Sequence, residues 1–296
     1  MGGPLVSKGE TSYPGMVQKE EDSRPERKRR RGNLIMTNQT PLLDINHMSI
    51  AFGGLKAIDD VSIQIHKGEF AGLIGPNGAG KTTFFNSITG NVQPTSGSIQ
   101  FDGHNLRKKH PDQIARYGIS RTFQNIRIFP KMTVLENVET PMHSVPRYSL
   151  FSAMLGLKVV KKNQKETEER ALEYLHDLGL EEFRDREAGT LPYGMQRRLE
   201  IARALAVSPK LLLLDEPAAG MNNDECNELV ELLRRIYKQY GLTVVLIEHH
   251  IEFVMKLCSQ IYVLNLGHLL ASGKPQDIQN DPEVIKAYLG QRRIKK

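Results

Sequence analysis

The chain has 296 residues, 39% hydrophobic and 25% charged, enough for one large α/β domain or two small ones. No run approaches the roughly 20 uncharged apolar residues of a membrane span; two cysteines, Cys226 and Cys258, exclude a disulfide scaffold and favour a reducing compartment; and no apolar secretion signal opens the sequence. The net charge of +6 is uneven, with 8 basic and 5 acidic side chains in residues 1–35 against 32 and 29 in the other 261, so the body is nearly balanced and no nucleic-acid surface is expected.

Residues 1–38 are rich in Gly, Pro, Ser and charge and contain Arg27-Lys28-Arg29-Arg30-Arg31 without apolar periodicity. This is the composition of a disordered, solvated basic tail. Contact with anionic lipid or nucleic acid is the alternative for such a run, and Met36 is an alternative translation start. The patterned body begins near Leu42. Val61, Ile63 and Ile65 alternate with Ser62, Gln64 and His66, which predicts a half-exposed strand. Phe70–Ile74 is apolar throughout, as a buried strand is, and a Gly-rich turn and an apolar helix follow. Ile99 and Phe101 after Ser96-Gly97 predict a short antiparallel strand.

From about 125 the character becomes helical, with Ala171, Leu172, Leu175 and Leu178 on one stripe and Gly179 as the stop. Leu211–Leu214 and Thr243–Ile247 read as buried strands flanking a helix that carries Leu229, Leu232, Leu233 and Ile236 and ends at Gly241. Cys226 falls on that same face and is assigned to the core. Asp281 before Pro282 opens a last helix. The pattern is a parallel α/β core interrupted by a helical insertion: core 39–124 and 201–275, helices 125–200, and a C-terminal helical segment 276–296, forming a single domain over 39–296.

The loop Gly75, Pro76, Asn77, Gly78, Ala79, Gly80, Lys81, Thr82, with Thr83 behind it, stands between a strand and a helix as a phosphate-binding loop requires. Glycines let backbone N–H groups curl around phosphate oxygens, and the helix start adds positive potential. Lys81 is expected to reach the β- and γ-phosphates of ATP, and the Thr82 hydroxyl to bind Mg²⁺. A second piece follows Leu211–Leu214: Asp215, at a strand end, is placed to hold Mg²⁺. Glu216 is placed to orient and polarise the attacking water.

With these pieces in order, residues 42–290 resemble the nucleotide-binding subunit of an ABC transporter. The resemblance implies a P-loop NTPase (RecA-like) core with an antiparallel β subdomain and an inserted α-helical subdomain. It implies that Gln124, in Arg121-Thr-Phe-Gln-Asn125, senses metal and water, and that His249, in Ile247-Glu-His-His250, contacts the γ-phosphate. His250 is a competitor one residue past the matching position. Phe52, 23 residues ahead of Gly75, matches the aromatic that stacks on adenine. Where such families carry Leu-Ser-Gly-Gly-Gln, this sequence has Leu191-Pro192-Tyr193-Gly194-Met195. Tyr193 and Gly194 are then the residues facing the nucleotide of the opposite subunit, with Pro192 in place of the serine. Asn222 stands where an Asp is common.

Leu-x-Tyr-Gly-x-Gln-Arg-Arg-Leu-Glu-Ile-Ala-Arg, Arg-Thr-Phe-Gln-Asn, the 70-residue spacing of Gln124 and Gly194 and the C-terminal Pro-Glu-Val-Ile-Lys-Ala-Tyr-Leu-Gly resemble the ATP-binding subunits of branched-chain amino acid importers. The resemblance implies a head-to-tail pair of cassettes, with a paralogue rather than a second copy as partner because Pro192 weakens one half-site. It also implies two membrane permeases, indirect contact with a periplasmic or extracellular solute-binding protein, and a peripheral position on the cytoplasmic face of the inner or plasma membrane. His143–Lys162 mixes apolar and basic residues, and reads equally as helical core or as a permease-facing surface. The alternatives are a lipopolysaccharide-export-type ATPase, disfavoured by Pro-Tyr-Gly and the long insertion, and a soluble ABC ATPase acting on nucleic acid or ribosomes. A P-loop kinase is a third class, disfavoured by the ordered set of Gln124, signature and His249.

Overall fold

Apolar residues at alternate positions make strands β1 (Leu43–Phe52) and β2 (Leu55–Ile65) an antiparallel pair. Val61, Ile63 and Ile65 are buried, while Ser62 and Gln64 face solvent. In the computed structural model, which describes Gly2, residues 40–142 and 158–292, with side chains left out at 158–161 and 289–292, β4 (Ser96–Phe101) adds to the other edge of β1. The two-residue β5 (His104–Asn105) completes a sheet of order β2-β1-β4-β5. This is the expected antiparallel layer. The basic tail and most of the His143–Lys162 stretch lie outside the described residues.

The second sheet carries the site. Strands β3 (Phe70–Ile74), β6 (Ile119–Arg121), β7 (Leu211–Asp215), β8 (Val244–Ile247) and β9 (Gln260–Asn265) run parallel, and β10 (His268–Gly273) closes one edge antiparallel to β9, in the order β10-β9-β3-β8-β7-β6. The all-apolar runs are explained by burial on both faces. Phe70, Ile74, Leu212, Leu214, Val244 and Leu246 point into one core, and Ala71, Leu73, Leu211, Leu213, Val245 and Ile247 into the other. The second core is shared with the antiparallel sheet and with helix α1 (Lys81–Ile88). The β9–β10 hairpin carries strands that the sequence pattern does not announce.

Helix α2 (Pro111–Tyr117) leads into β6. On the first face the core is completed by α3 (Val134–Met142), α4 (Lys158–Asp177), α5 (Tyr193–Ala206), α6 (Asn223–Tyr240) and α7 (Ile251–Leu257). Most of the expected stripe is present: Ala171, Leu175 and Leu178 are buried, Leu172 is half-buried, and Gly179 follows in the left-handed region. Helix α5 runs unbroken through the expected subdomain boundary at 200, because its apolar stripe continues through Ile201 and Leu205. Gly241 ends α6 as a left-handed cap, and Asn222 begins it: the Asn222 Oδ1 accepts from Glu225 N at 2.9 Å, and the Glu225 carboxylate accepts from Asn222 N at 2.9 Å. Asparagine thus serves as a helix cap there as well as aspartate does. Cys226 lies half-buried at the rim of the core. Helices α8 (Pro275–Gln279) and α9 (Pro282–Arg292) form the C-terminal segment, with Asp281 Oδ1 accepting from Glu283 N at 2.8 Å. Among the described residues no helix is long and apolar enough to cross a membrane.

Candidate functional site

Four adjacent parallel strands end side by side. Leu73 of β3 and Asp215 of β7 both pair with Ile247 of β8, and Arg121 of β6 pairs with Leu213. The segments leaving these strand ends carry Gly75–Thr83, Gln124, Asp215–Glu216 and His249, so one rim of the sheet gathers residues far apart in sequence. A crevice beyond the carboxyl ends of parallel strands is where open α/β sheets hold ligands.

The loop after β3 is shaped by close backbone approaches. A Cβ on Gly75 would lie 2.1 Å from the Leu264 carbonyl oxygen, and one on Gly80 2.5 Å from that of Ala57, both at positive φ. No side chain fits at either position. Lys81, at the start of α1, is buried, and its Nζ donates to the carbonyls of Gly75 at 2.7 Å and Pro76 at 3.0 Å. Burial lowers its pKa, while the charges of Glu216 and Asp215 pull it back up. A buried ammonium whose hydrogen bonds go to neutral carbonyls of its own loop is poised for an anion. Thr82 is exposed on the first turn of α1 and Thr83 half-exposed; Asn77 and Gly78 lie open to solvent, whereas Pro76 and Ala79 are buried. At the far end of the chain, burial raises the Tyr288 phenol to about 12, and the Gly75 backbone N–H beside it works in the opposite direction.

The three residues expected to do the chemistry meet. Gln124 Nε2 donates to Glu216 Oε2 at 2.8 Å, and His249 Nε2 stands 2.6 Å from Glu216 Oε1. A carboxylate only accepts, which assigns the imidazole proton to Nε2. Glu216 itself is held at φ 49 in the left-handed region, a conformation costing about 1–3 kcal/mol for a residue other than glycine and concentrated at functional sites. Its backbone N–H donates to the Ile247 carbonyl at 2.9 Å, continuing the β7–β8 ladder. His250 turns instead to Glu248.

Asp215 is buried and pairs with Arg121, Nη2 to Oδ2 at 2.7 Å. Arg121 also donates to Asn86 Oδ1 at 2.8 Å and lies near the rings of Phe85 and Phe123. Arg121 was not singled out by sequence reasoning, although it stands three residues before Gln124. Glu248 was missed too. Its buried carboxylate accepts from Ala218 N at 2.8 Å and His249 N at 2.8 Å, fastening the loop after Glu216 to the loop bearing His249. The only sequence signal was a charge directly behind the apolar run Val244–Ile247.

Phe52 ends β1 and is 52% exposed, an open aromatic face. In the signature segment Pro192 precedes α5 without a side-chain cap, and its carbonyl accepts from Met195 N and Gln196 N at 3.0 Å. The donors of Tyr193 and Gly194 precede these in the first turn, which has no upstream carbonyls to meet. A Cβ on Gly194 would meet nothing within 4 Å, and the Tyr193 ring lies against Gly220. Tyr193 is thus brought beside the loop that follows Glu216.

Removing the His249 side chain leaves the Glu216 carboxylate with one of its two side-chain partners. His249→Ala is expected to lower the rate of ATP hydrolysis about 10²-fold through misplacement of that carboxylate. Steady-state phosphate release checks it, and an unchanged rate would remove His249 from the site.

A glycine-rich loop with a buried lysine, and a buried aspartate followed by a glutamate bracketed by Gln124 and His249 on the same rim of a parallel sheet, define a P-loop ATPase, and comparison with known proteins agrees. Residues 58–219 match the ABC transporter family, and residues 268–293 match the family described as branched-chain amino acid ATP-binding cassette transporter. The high-affinity branched-chain amino acid transport ATP-binding protein LivG of Salmonella typhimurium is 45% identical over 251 residues, covering 85% of this chain and 98% of LivG. Its counterpart BraF of Pseudomonas aeruginosa is 42% identical over the same shares. The crystal structure of MJ1267, an ATP-binding cassette of an ABC transporter in its ADP conformation, superposes with a TM-score of 0.74 at 32% identity, covering 85% of this chain and all of that one.

The chain belongs to the ABC transporter ATP-binding family and is an ATPase that drives transport. Within that family it groups with LivG and BraF.

Proposed function

We propose that this ATPase powers import of branched-chain amino acids, with Glu216 as the carboxylate that activates water. The observation carrying the chemistry is the Glu216 carboxylate held between Gln124 and His249 at 2.8 and 2.6 Å. The substrate class rests on the match of residues 268–293 and on the likeness to LivG and BraF.

Phosphates sit on the Gly75–Thr83 loop, with Lys81 releasing its loop carbonyls to meet the β- and γ-oxygens. Thr82 and Asp215 fit Mg²⁺: an exposed hydroxyl and a carboxylate are hard oxygen donors, and one or two carboxylates completed by phosphate oxygens are what this ion takes. Held there, Mg²⁺ would supply positive charge to offset the negative charge that develops as the phosphate bond breaks. Glu216 accepts a hydrogen bond from the attacking water and directs its lone pair at the γ-phosphorus. His249 donates its Nε2 proton to one Glu216 oxygen, and Gln124 fixes the other.

Phe52 stacks on the adenine ring. Phe52→Ala is expected to weaken ATP binding by about 1–3 kcal/mol, roughly 5- to 150-fold in Kd. Equilibrium titration with a fluorescent nucleotide checks this, and an unchanged Kd assigns adenine elsewhere.

The ATPase works with membrane-embedded permeases from the cytoplasmic face, and pairs head to tail with a second cassette. ATP is then held between the phosphate loop of one cassette and Tyr193-Gly194 of the other. ATP's higher affinity for the closed pair supplies the free energy of the swing. Pro192 removes the serine hydroxyl from one half-site, which favours a paralogue as the partner. The test is to tag the chain in its native host, solubilise the membranes and identify what co-purifies, then reconstitute the complex and measure ATP-driven uptake. Two permeases, a second ATPase and uptake of leucine, isoleucine and valine are expected. Recovery with ribosomes or DNA and without permeases would overturn the reading. Permeases without a second ATPase would overturn only the paralogue.

A further inference from the structure

Helix α5 carries, four residues behind Tyr193, an ion pair that has no part in the chemistry described above. The Arg197 side chain is fully buried and that of Glu200 is 5% exposed, with Nη1 and Oε2 2.8 Å apart. Both charges also reach across to another segment. Arg197 Nη1 donates to the Phe123 carbonyl at 2.7 Å and Nη2 to the Gln124 carbonyl at 2.9 Å. Nη2 also reaches the Tyr193 hydroxyl at 3.3 Å. Glu200 Oε1 accepts from the backbone N–H of Phe123 at 3.1 Å and of Arg127 at 3.3 Å. The backbone on both sides of Gln124 is therefore gripped by one turn of α5.

Burying two charges is expensive, and well-packed apolar residues often stabilise a fold as well or better. Stability alone does not call for an ion pair here. The geometry does supply direction: a planar guanidinium fork and a carboxylate present fixed donors and acceptors to the peptide groups of a single loop. That loop carries the Gln124 amide, which donates to Glu216.

We propose that Arg197 and Glu200 are positioning residues that make the start of α5 and the Phe123–Arg127 segment move as one body, so that the seat of Gly194 sets how Gln124 holds Glu216. The inference rests on the ABC reading above. In a head-to-tail pair Gly194 faces the nucleotide of the opposite cassette while Gln124 serves the chain's own site. The ion pair then links the two ATP sites through four residues of one helix.

The test uses the full chain in its purified complex. Arg197→Met alone strands a buried carboxylate and threatens the fold, so the decisive variant is the double replacement Arg197→Met with Glu200→Leu, which removes both charges at similar volume. We expect it to fold, to bind ATP within about threefold of wild type, and to lose roughly 10- to 100-fold in kcat through misplacement of Gln124. Introduced into Gln124→Ala, the same pair should cost nothing further, since coupled residues are not additive. Arg197→Lys gives an independent reading. It keeps the buried charge but not the second fork, and should lower kcat about tenfold with ATP affinity retained.

Wild-type kcat in a folded double variant, or in Arg197→Lys, would overturn the proposal. So would a further loss in the Gln124→Ala background, or a fall in ATP affinity that matches the fall in kcat. A wild-type complex that hydrolyses no ATP would instead overturn the parent reading.

Discussion

Glu216→Gln is expected to lower kcat for ATP hydrolysis about 10²- to 10⁴-fold while leaving ATP affinity intact. The amide keeps the shape of the carboxylate. Its carbonyl oxygen still accepts from His249 Nε2, and a flip of the Gln124 amide satisfies the other side, so the hydrogen-bonded frame of the site survives. What disappears is the negative charge that polarises water. In the proposed pair of cassettes, where hydrolysis is the reopening step, the variant should accumulate as a closed, ATP-loaded pair. Phosphate release measures the first effect, and size-exclusion chromatography with and without ATP measures the second. A variant that keeps a tenth or more of the wild-type rate, well above what the smallest expected loss of about 10²-fold would leave, would take the catalytic role away from Glu216.

Asp215→Ala is expected to cost about 3–5 kcal/mol of folding stability in addition to abolishing hydrolysis. The reason is Arg121: its guanidinium is 7% exposed and 2.7 Å from the Asp215 carboxylate, and breaking such a pair leaves an uncompensated buried charge. For a chain of this size that corresponds to a fall in Tm on the order of 10 °C. Asp215→Asn separates the two roles. Its amide oxygen still accepts from Arg121 but no longer balances the charge, so Tm should fall by less than in the alanine variant, while the charge proposed to hold Mg²⁺ is lost and hydrolysis falls as far as with alanine. Thermal unfolding and phosphate release on both variants decide the matter. Equal Tm losses in the two would mean that charge, not the hydrogen bond, holds Arg121.

These expectations depend to different degrees on tertiary structure. The Gly75–Thr83 loop was legible because its chemistry is local: closely spaced glycines, a lysine and a threonine between one strand and one helix. Asp215 and Glu216 were legible for a related reason, since carboxylates directly after four buried leucines must emerge at a strand end. Gln124 and His249 were found only through resemblance to a family, because neither lies in a pattern that physical chemistry alone would mark. Arg197 and Glu200 left a trace that was not used. They are a charged pair on a helix stripe otherwise occupied by Ile201 and Ala204, which implies burial and therefore partners.

The sequence by itself determined many of the elements, though not the β9–β10 hairpin, together with the phosphate loop and the all-apolar parallel strands. Those features follow from periodicity and from turn chemistry within a few residues. Tertiary structure decided which groups meet. Gln124 finds Glu216 across 92 residues of sequence and Arg121 finds Asp215 across 94, contacts fixed by the strand order β3-β8-β7-β6. A strand's alternation specifies which side chains it buries. It carries no information about which strand will lie beside it, so the partners of Glu216, Asp215 and Arg197 had to be read from the folded chain.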